Sequence, residues 1–115
     1  MNLNEYQEKI IKFDVDGPIH GISQVDFAFL DKVLGLSGES GEVADKVKKL
    51  IRDQNGMILS ENKVAIQKEL GDVLWYLASV ARYLGIDLES VALGNIEKLE
   101  RRIQRGKISG SGDER

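Results

Sequence analysis

Cysteine is absent from the 115 residues, which excludes thiolate zinc sites, cysteine nucleophiles and disulfide scaffolds and suits a reducing compartment. Proline occurs once, at Pro18, and glycine is thinly spread until the Gly/Ser-rich end, so the breakers that punctuate β-rich chains are scarce. No apolar run approaches the roughly 20 residues needed to span a bilayer. The opening Met1-Asn2-Leu3-Asn4-Glu5 lacks the basic and apolar regions of a signal peptide. A cytoplasmic protein with no membrane partner is therefore expected. Positive charge is not in surplus either: the formal net charge is −3, which argues against general nucleic-acid binding.

What is present is an ordinary globular composition, 42% hydrophobic and 30% charged, at a length that fits one domain. Apolar positions recur at helical spacing. Leu3, Tyr6, Ile10 and Phe13 give a first helix from about Leu3 to Phe13, followed by a loop through about Ser23. Phe29, Val33, Leu36, Val43, Val47, Leu50 and Ile51 mark a long second helix from about Gln24 to Asp53, capped by Asn55-Gly56. A third helix opens with Ser60 as N-cap, carries Ile66, Leu70, Val73, Leu74, Leu77, Ala81 and Leu84 on one stripe, and stops at Gly85. A fourth starts near Asp87 and is expected to bury Ala92, Ile96, Leu99 and Ile103. No β-pattern competes. The chain is read as all-α, a four- to five-helix bundle over residues 1–105 with a central antiparallel helix pair, and a tail at 106–115.

Two acidic pairs stand out. Glu39 and Glu42 are three apart, as are Glu69 and Asp72, so each pair shares one side of its helix at about 100° per residue. With Gly56 at the centre of the turn, both pairs lie roughly 22 Å from it along the helix axes at 1.5 Å rise per residue. In an antiparallel hairpin they are neighbours. Four carboxylates so placed repel one another, and a hard cation, Mg²⁺ or Mn²⁺, relieves that repulsion better than Zn²⁺. The alternative is two solvated acidic faces. Gly41 and Gly71, beside Glu42 and Asp72, are expected to let the helices approach closely.

Gly38-Glu39-Ser40-Gly41-Glu42-Val43 and Lys68-Glu69-Leu70-Gly71-Asp72-Val73-Leu74-Trp75-Tyr76-Leu77, separated by 26 residues between Glu42 and Glu69, resemble the E-x-x-E and E-x-x-D segments of MazG-like nucleoside triphosphate pyrophosphohydrolases. Asn95-Ile96-Glu97-Lys98-Leu99-Glu100-Arg101-Arg102 looks like that family's asparagine, lysine and arginine helix. The resemblance implies an all-α homodimer or homotetramer. It implies Mg²⁺ held by Glu39, Glu42, Glu69 and Asp72, and cleavage of a nucleoside triphosphate between its α- and β-phosphates, often to remove unwanted nucleotides. Variants of the same reading are a dUTP or dCTP pyrophosphatase and a phosphoribosyl-ATP pyrophosphohydrolase. A reading from another class is a non-catalytic helical module that binds nucleotide or metal and oligomerises.

Cations suit the phosphates of such a substrate. Asn95, Lys98 and Arg102 share one stripe of helix four and are assigned to phosphate or sugar contact, with a solvated basic face as the rival explanation. Lys49 is open between that role and an ion pair with Asp45, and Lys46 is expected to pair with Glu42. Tyr76 and Tyr83 could stack on a base but are more often packing residues. Trp75 points about 150° from the apolar centre of its helix, so it is expected to be exposed in one chain and covered by a second. The tail is a candidate strap over bound nucleotide.

Overall fold

Residues 1–15, 17–18 and 20–106 are described by a computed structural model. The long helices begin where a side chain can replace the missing intrahelical acceptor. Asp26 accepts from the backbone N–H of Phe29 and Asp87 from that of Ser90, each from an extended N-cap position. They stop where the backbone turns left-handed: Asn55 has φ 52° and Gly85 φ 72°. The result is α1 (Leu3–Lys9), a 3₁₀ turn (Ile10–Phe13), α2 (Phe27–Gln54), α3 (Ser60–Tyr83) and α4 (Leu88–Gln104). Among the described residues there is no strand.

The all-helical reading and the antiparallel α2–α3 pair are as expected, with local corrections. The first helix tightens into a 3₁₀ turn for its last four residues. The second starts three residues later than expected, because Asp26 caps it. Ser60 is the first helical residue and not the cap: Leu59 holds that position, and its N–H is satisfied by the Oδ1 of Asn62 at 2.8 Å. The expected tail lies outside the described residues but for Gly106.

Among the half-buried or buried positions of α2, Lys32, Gly35, Leu36, Glu39, Val43, Lys46 and Leu50 repeat at the three- and four-residue spacing of a helix seam. They face Ala65, Ile66, Glu69, Val73, Tyr76, Ser79 and Tyr83 of α3. Close approach occurs at one glycine of this seam. A Cβ on Gly35 would stand 2.2 Å from the ring of Tyr76, whereas Gly38, Gly41 and Gly71 meet nothing within 4 Å. The expectation for Gly41 and Gly71 therefore fails: they lie off the seam.

Beyond the hairpin, Ile10, Ala78 and Leu88 form a small core on which Tyr6, Trp75 and Leu77 pack. Trp75 is thus half-buried within its own chain, contrary to the expected exposure. Tyr6 of α1, Ile10 of the 3₁₀ turn and Leu88 at the start of α4 supply the apolar partners of α3 there. Gln7 fastens this corner: its amide nitrogen donates to the carbonyls of Ala78 and Ile86, and its Oε1 accepts from Leu88 N–H. α4 is rotated from its expected face. Its contact line runs through Leu88, Ala92, Leu99 and Arg102, leaving Ile96 and Ile103 exposed. No helix among the described residues is long and apolar enough to cross a membrane.

Candidate metal centre and nucleotide site

Because α2 and α3 are antiparallel about a turn near residue 57, residues whose numbers sum to about 111–116 lie opposite one another. Glu39 and Asp72 satisfy this, and so do Gly35 and Tyr76, and Gln54 and Asn62. Carboxylate oxygens of Glu39, Glu69 and Asp72 all lie within 4.8 Å of one another. Glu39 and Glu69 are half-buried on the seam, and Asp72 is exposed at its edge. Glu42 does not join them. It stands about 100° round the helix from the seam residue Val43, so its side chain starts on the exposed flank.

The charges acting on Glu39 are all of its own sign. Burial, and then Asp72, Glu69 and Glu42 in that order, hold its carboxyl above the usual range. Glu42 therefore contributes to the field of the site although its oxygens stand apart from the other three. The donor set consists of carboxylate oxygens, as a hard divalent cation requires. Such an ion, with bonds of about 2.0–2.1 Å, spaces its donors by roughly 3–4 Å, so a small contraction of the cluster accommodates one. The geometry and the chemistry of the donors both fit.

Lys46 crosses the seam to Glu69, Nζ to Oε1 3.3 Å, in place of the expected pairing with Glu42 on its own helix. Glu42 faces outward, whereas Lys46 is itself a seam residue. Lys49 pairs with Asp45 at 2.7 Å, the ion-pair alternative of its two readings. On α4, Asn95 is exposed, Lys98 half-buried and Arg102 3% exposed. α4 packs against α1 and α3.

Sequence reasoning missed a second polar cluster at the other end of the same seam. Asp14, with a side chain 6% exposed, accepts from Arg82 Nη2 and from the hydroxyl of Tyr83, both at 2.7 Å, and stands 3.5 Å from Lys32 Nζ. Lys32 also lies over the rings of Trp75 and Tyr83, at 5.9 and 5.6 Å. Burial pulls the Lys32 ammonium down, but Asp31, Asp14 and Tyr83 outweigh it and leave it above its ordinary value. Burial and the bond to Asp14 push the Tyr83 phenol up. Tyr83 is wholly buried, so in this conformation it is not a surface on which a base can stack. The signal was available: Lys32 falls between Phe29 and Leu36 on the apolar stripe, and a charge there needs a buried partner.

The family model of the MazG nucleotide pyrophosphohydrolase domain matches residues 28–106, which contain the whole hairpin and α4. The chain belongs to that family. A relative, the Gene 37 protein of Mycobacterium phage L5, is 47% identical over 97 residues, covering 84% of this chain and 79% of its own. No solved structure matches the chain. Of the four acidic positions singled out in the sequence, the hairpin brings Glu39, Glu69 and Asp72 together and leaves Glu42 on the flank.

Proposed function

We propose that the protein hydrolyses a nucleoside triphosphate between its α- and β-phosphates, giving a nucleoside monophosphate and pyrophosphate, as a nucleotide-pool house-cleaning reaction. The convergence of Glu39, Glu69 and Asp72 on one point of a MazG-family hairpin carries this reading. These three residues hold Mg²⁺, with Mn²⁺ as a substitute. Glu42, whose charge already reaches Glu39, becomes the fourth ligand by swinging its side chain inward. The cation neutralises phosphate charge and makes water more acidic. The chain's own part is to bring four acidic oxygens together on two rigid helices, so that phosphates are oriented before reaction. Lys46, released from Glu69 when that carboxylate is engaged elsewhere, is positioned to meet a phosphate oxygen. Asn95, Lys98 and Arg102 serve the phosphates or sugar from α4.

A homo-oligomer, dimer or tetramer, goes with this reading. Leu34, Ile51, Val64, Leu93, Ile96 and Ile103 are all more than half exposed. The radius of gyration of 17.0 Å exceeds the roughly 13 Å of a compact domain of about 100 residues. A single chain leaves apolar surface that a second copy can cover. Release of pyrophosphate from a panel of ribo- and deoxyribonucleoside triphosphates, with Mg²⁺ and with chelator, tests the activity. Inorganic phosphate as the product, or no turnover of any triphosphate, would refute it. A monomeric molar mass in solution at micromolar concentration would refute the oligomer.

A further inference from the structure

One turn from Glu69 toward the α2–α3 turn, the seam opens into a cavity of about 190 Å³. Leu50, Ala65 and Ile66 form its apolar wall, Lys46 stands at one end, and Gln54 and Asn62 lie at the other. Lys46 joins the cavity to the carboxylate cluster, since its Nζ lies 3.3 Å from Glu69. A molecule with its anionic part at the carboxylates has its next portion beside this wall.

The orientation of the two amides is fixed by the backbone. Leu59 N–H donates to the Asn62 side chain at 2.8 Å, so the atom it meets must be the oxygen. Gln54 approaches the same oxygen at 2.9 Å and the Met57 carbonyl at 3.2 Å, so it must present its nitrogen to both. What remains is the Nδ2 of Asn62 as a donor and the Oε1 of Gln54 as an acceptor. Both belong to half-buried residues of a slot whose apolar wall is Leu50, Ala65 and Ile66 and which the charged Lys46, Lys49 and Asp53 also line. A neighbouring donor and acceptor beside apolar side chains are what a heteroaromatic ring with an adjacent carbonyl or ring nitrogen and N–H group requires. The volume is below the roughly 300 Å³ at which pockets for larger ligands begin, which suits a single ring and crowds a fused one.

We propose that this cavity is the nucleobase subsite and that it selects a pyrimidine, with Asn62 donating to and Gln54 accepting from the edge of the base. The inference rests on the nucleotide reading above but is tested apart from it. Asn62→Asp keeps the oxygen that accepts from Leu59 and Gln54, and replaces the outward donor by an acceptor. Deoxyuridine, deoxycytidine, deoxyadenosine and deoxyguanosine are titrated without metal into the ¹⁵N-labelled protein, following the side-chain amide signals of Gln54 and Asn62. Hydrolysis of the four corresponding triphosphates is measured separately with Mg²⁺.

The expected result is that the two pyrimidine nucleosides move both amide signals of the wild type and the purines do not. In Asn62→Asp the shift of the Gln54 signal is weakened by about tenfold or more in affinity, because a buried donor has been lost, with the fold and thermal midpoint retained. Amide signals that stay put up to millimolar nucleoside, or that respond to all four alike, overturn the pocket. If hydrolysis is seen at the same time, the pyrophosphohydrolase reading stands without it. Pyrimidine-specific shifts without hydrolysis uphold the pocket and overturn the reaction.

Discussion

Two charged clusters occupy the ends of one helix seam, and they differ in whether the chain answers its own charges. At Asp14 a single carboxylate is met by Arg82, Lys32 and the Tyr83 hydroxyl and is closed off from water. At Glu39 the charges acting on the carboxyl are those of three other acids, and its protonation is pushed up accordingly. Burial alone does not separate them, for both draw on buried or half-buried seam positions. What separates them is that the first carboxylate is fully answered within the chain, whereas the three acids of the second cluster have one lysine among them, Lys46 at Glu69. On the function proposed above, the first holds the fold and the second takes up a cation.

That contrast is broken most sharply by removing acids from each end. Glu39→Gln, Glu69→Gln and Asp72→Asn are each expected to lower pyrophosphate release by about a thousandfold, since a bound metal contributes several kcal/mol and each 1.36 kcal/mol is tenfold. Glu39→Gln and Asp72→Asn should leave thermal stability in chelator unchanged or raised, because like charges are removed, whereas Glu69→Gln also gives up the Lys46 ion pair and should change it by no more than about 1 kcal/mol. Glu42→Gln, whose side chain must swing to reach the cluster, should lose about 10–100-fold. Steady-state assays beside thermal melts check the pair. Melting points that drop with the activity would place these acids with Asp14 as structural residues.

Asp14→Asn is the opposite case. Taking one partner from a buried ion pair costs about 3–5 kcal/mol, here because Arg82 and Lys32 would lose the carboxylate they share, leaving Lys32 only the exposed Asp31 at 3.2 Å. Chemical denaturation should show the loss, while activity per folded molecule with Mg²⁺ remains within about twofold. A variant that stays stable but loses turnover would move Asp14 into the working site.

The legibility of the two clusters in the sequence follows the same difference. Glu39, Glu69 and Asp72 were found because they lie on regular helices joined by a short turn, so the helix rise alone sets them at one level. Glu42 was placed with them because spacing of three defines a side of a helix, but not whether that side faces the seam or its flank. Asp14 lies in irregular chain just past the 3₁₀ turn, and its partners are 18, 68 and 69 positions away, distances for which periodicity carries no information. Gly41 and Gly71 show the reverse error: a glycine beside an acid was read as close packing, whereas the rotation of the helices puts Gly35 under Tyr76 instead. Trp75 is half-buried against Ile10 of the 3₁₀ turn and Leu88 of α4, with Lys32 over its ring, neighbours that the periodicity of a single helix does not contain.

Between the two clusters, the glycines of α2 give a smaller test of where the seam runs. Gly35→Ala would drive a methyl into the Tyr76 ring, an overpacking expected to cost about 1–3 kcal/mol. It should also disturb Glu39 one turn away, reducing activity along with stability. Gly41→Ala adds its methyl where nothing lies within 4 Å and should gain up to about 1 kcal/mol from helix propensity, compared at matched oligomeric state. Equal destabilisation by both would mean that the seam passes over Gly41.

A third carboxylate marks the far side of the comparison, because here the negative charge is welcome at the surface. Asp87 caps α4, and its hydrogen bonds from the Ser90 hydroxyl and the Ser90 N–H hold its carboxyl below the ordinary range. A depressed value in the folded state means that its contribution is present above the unfolded value, about 3.9, and is lost as pH falls through the folded one. Lowering the pH across that window should therefore loosen the first turn of α4, seen as a smaller protection factor, relative to the intrinsic exchange rate at each pH, for the Ser90 amide. Asp87→Asn, which keeps an accepting oxygen and caps about as well, should flatten this acid dependence at Ser90 without abolishing the protection. Glu39 has the opposite sign, since its carboxyl is held above its usual range. A protection factor at Ser90 that ignores pH in the wild type would show that the helix start is held by packing of Leu88 into the small core, and that the cap adds nothing to it.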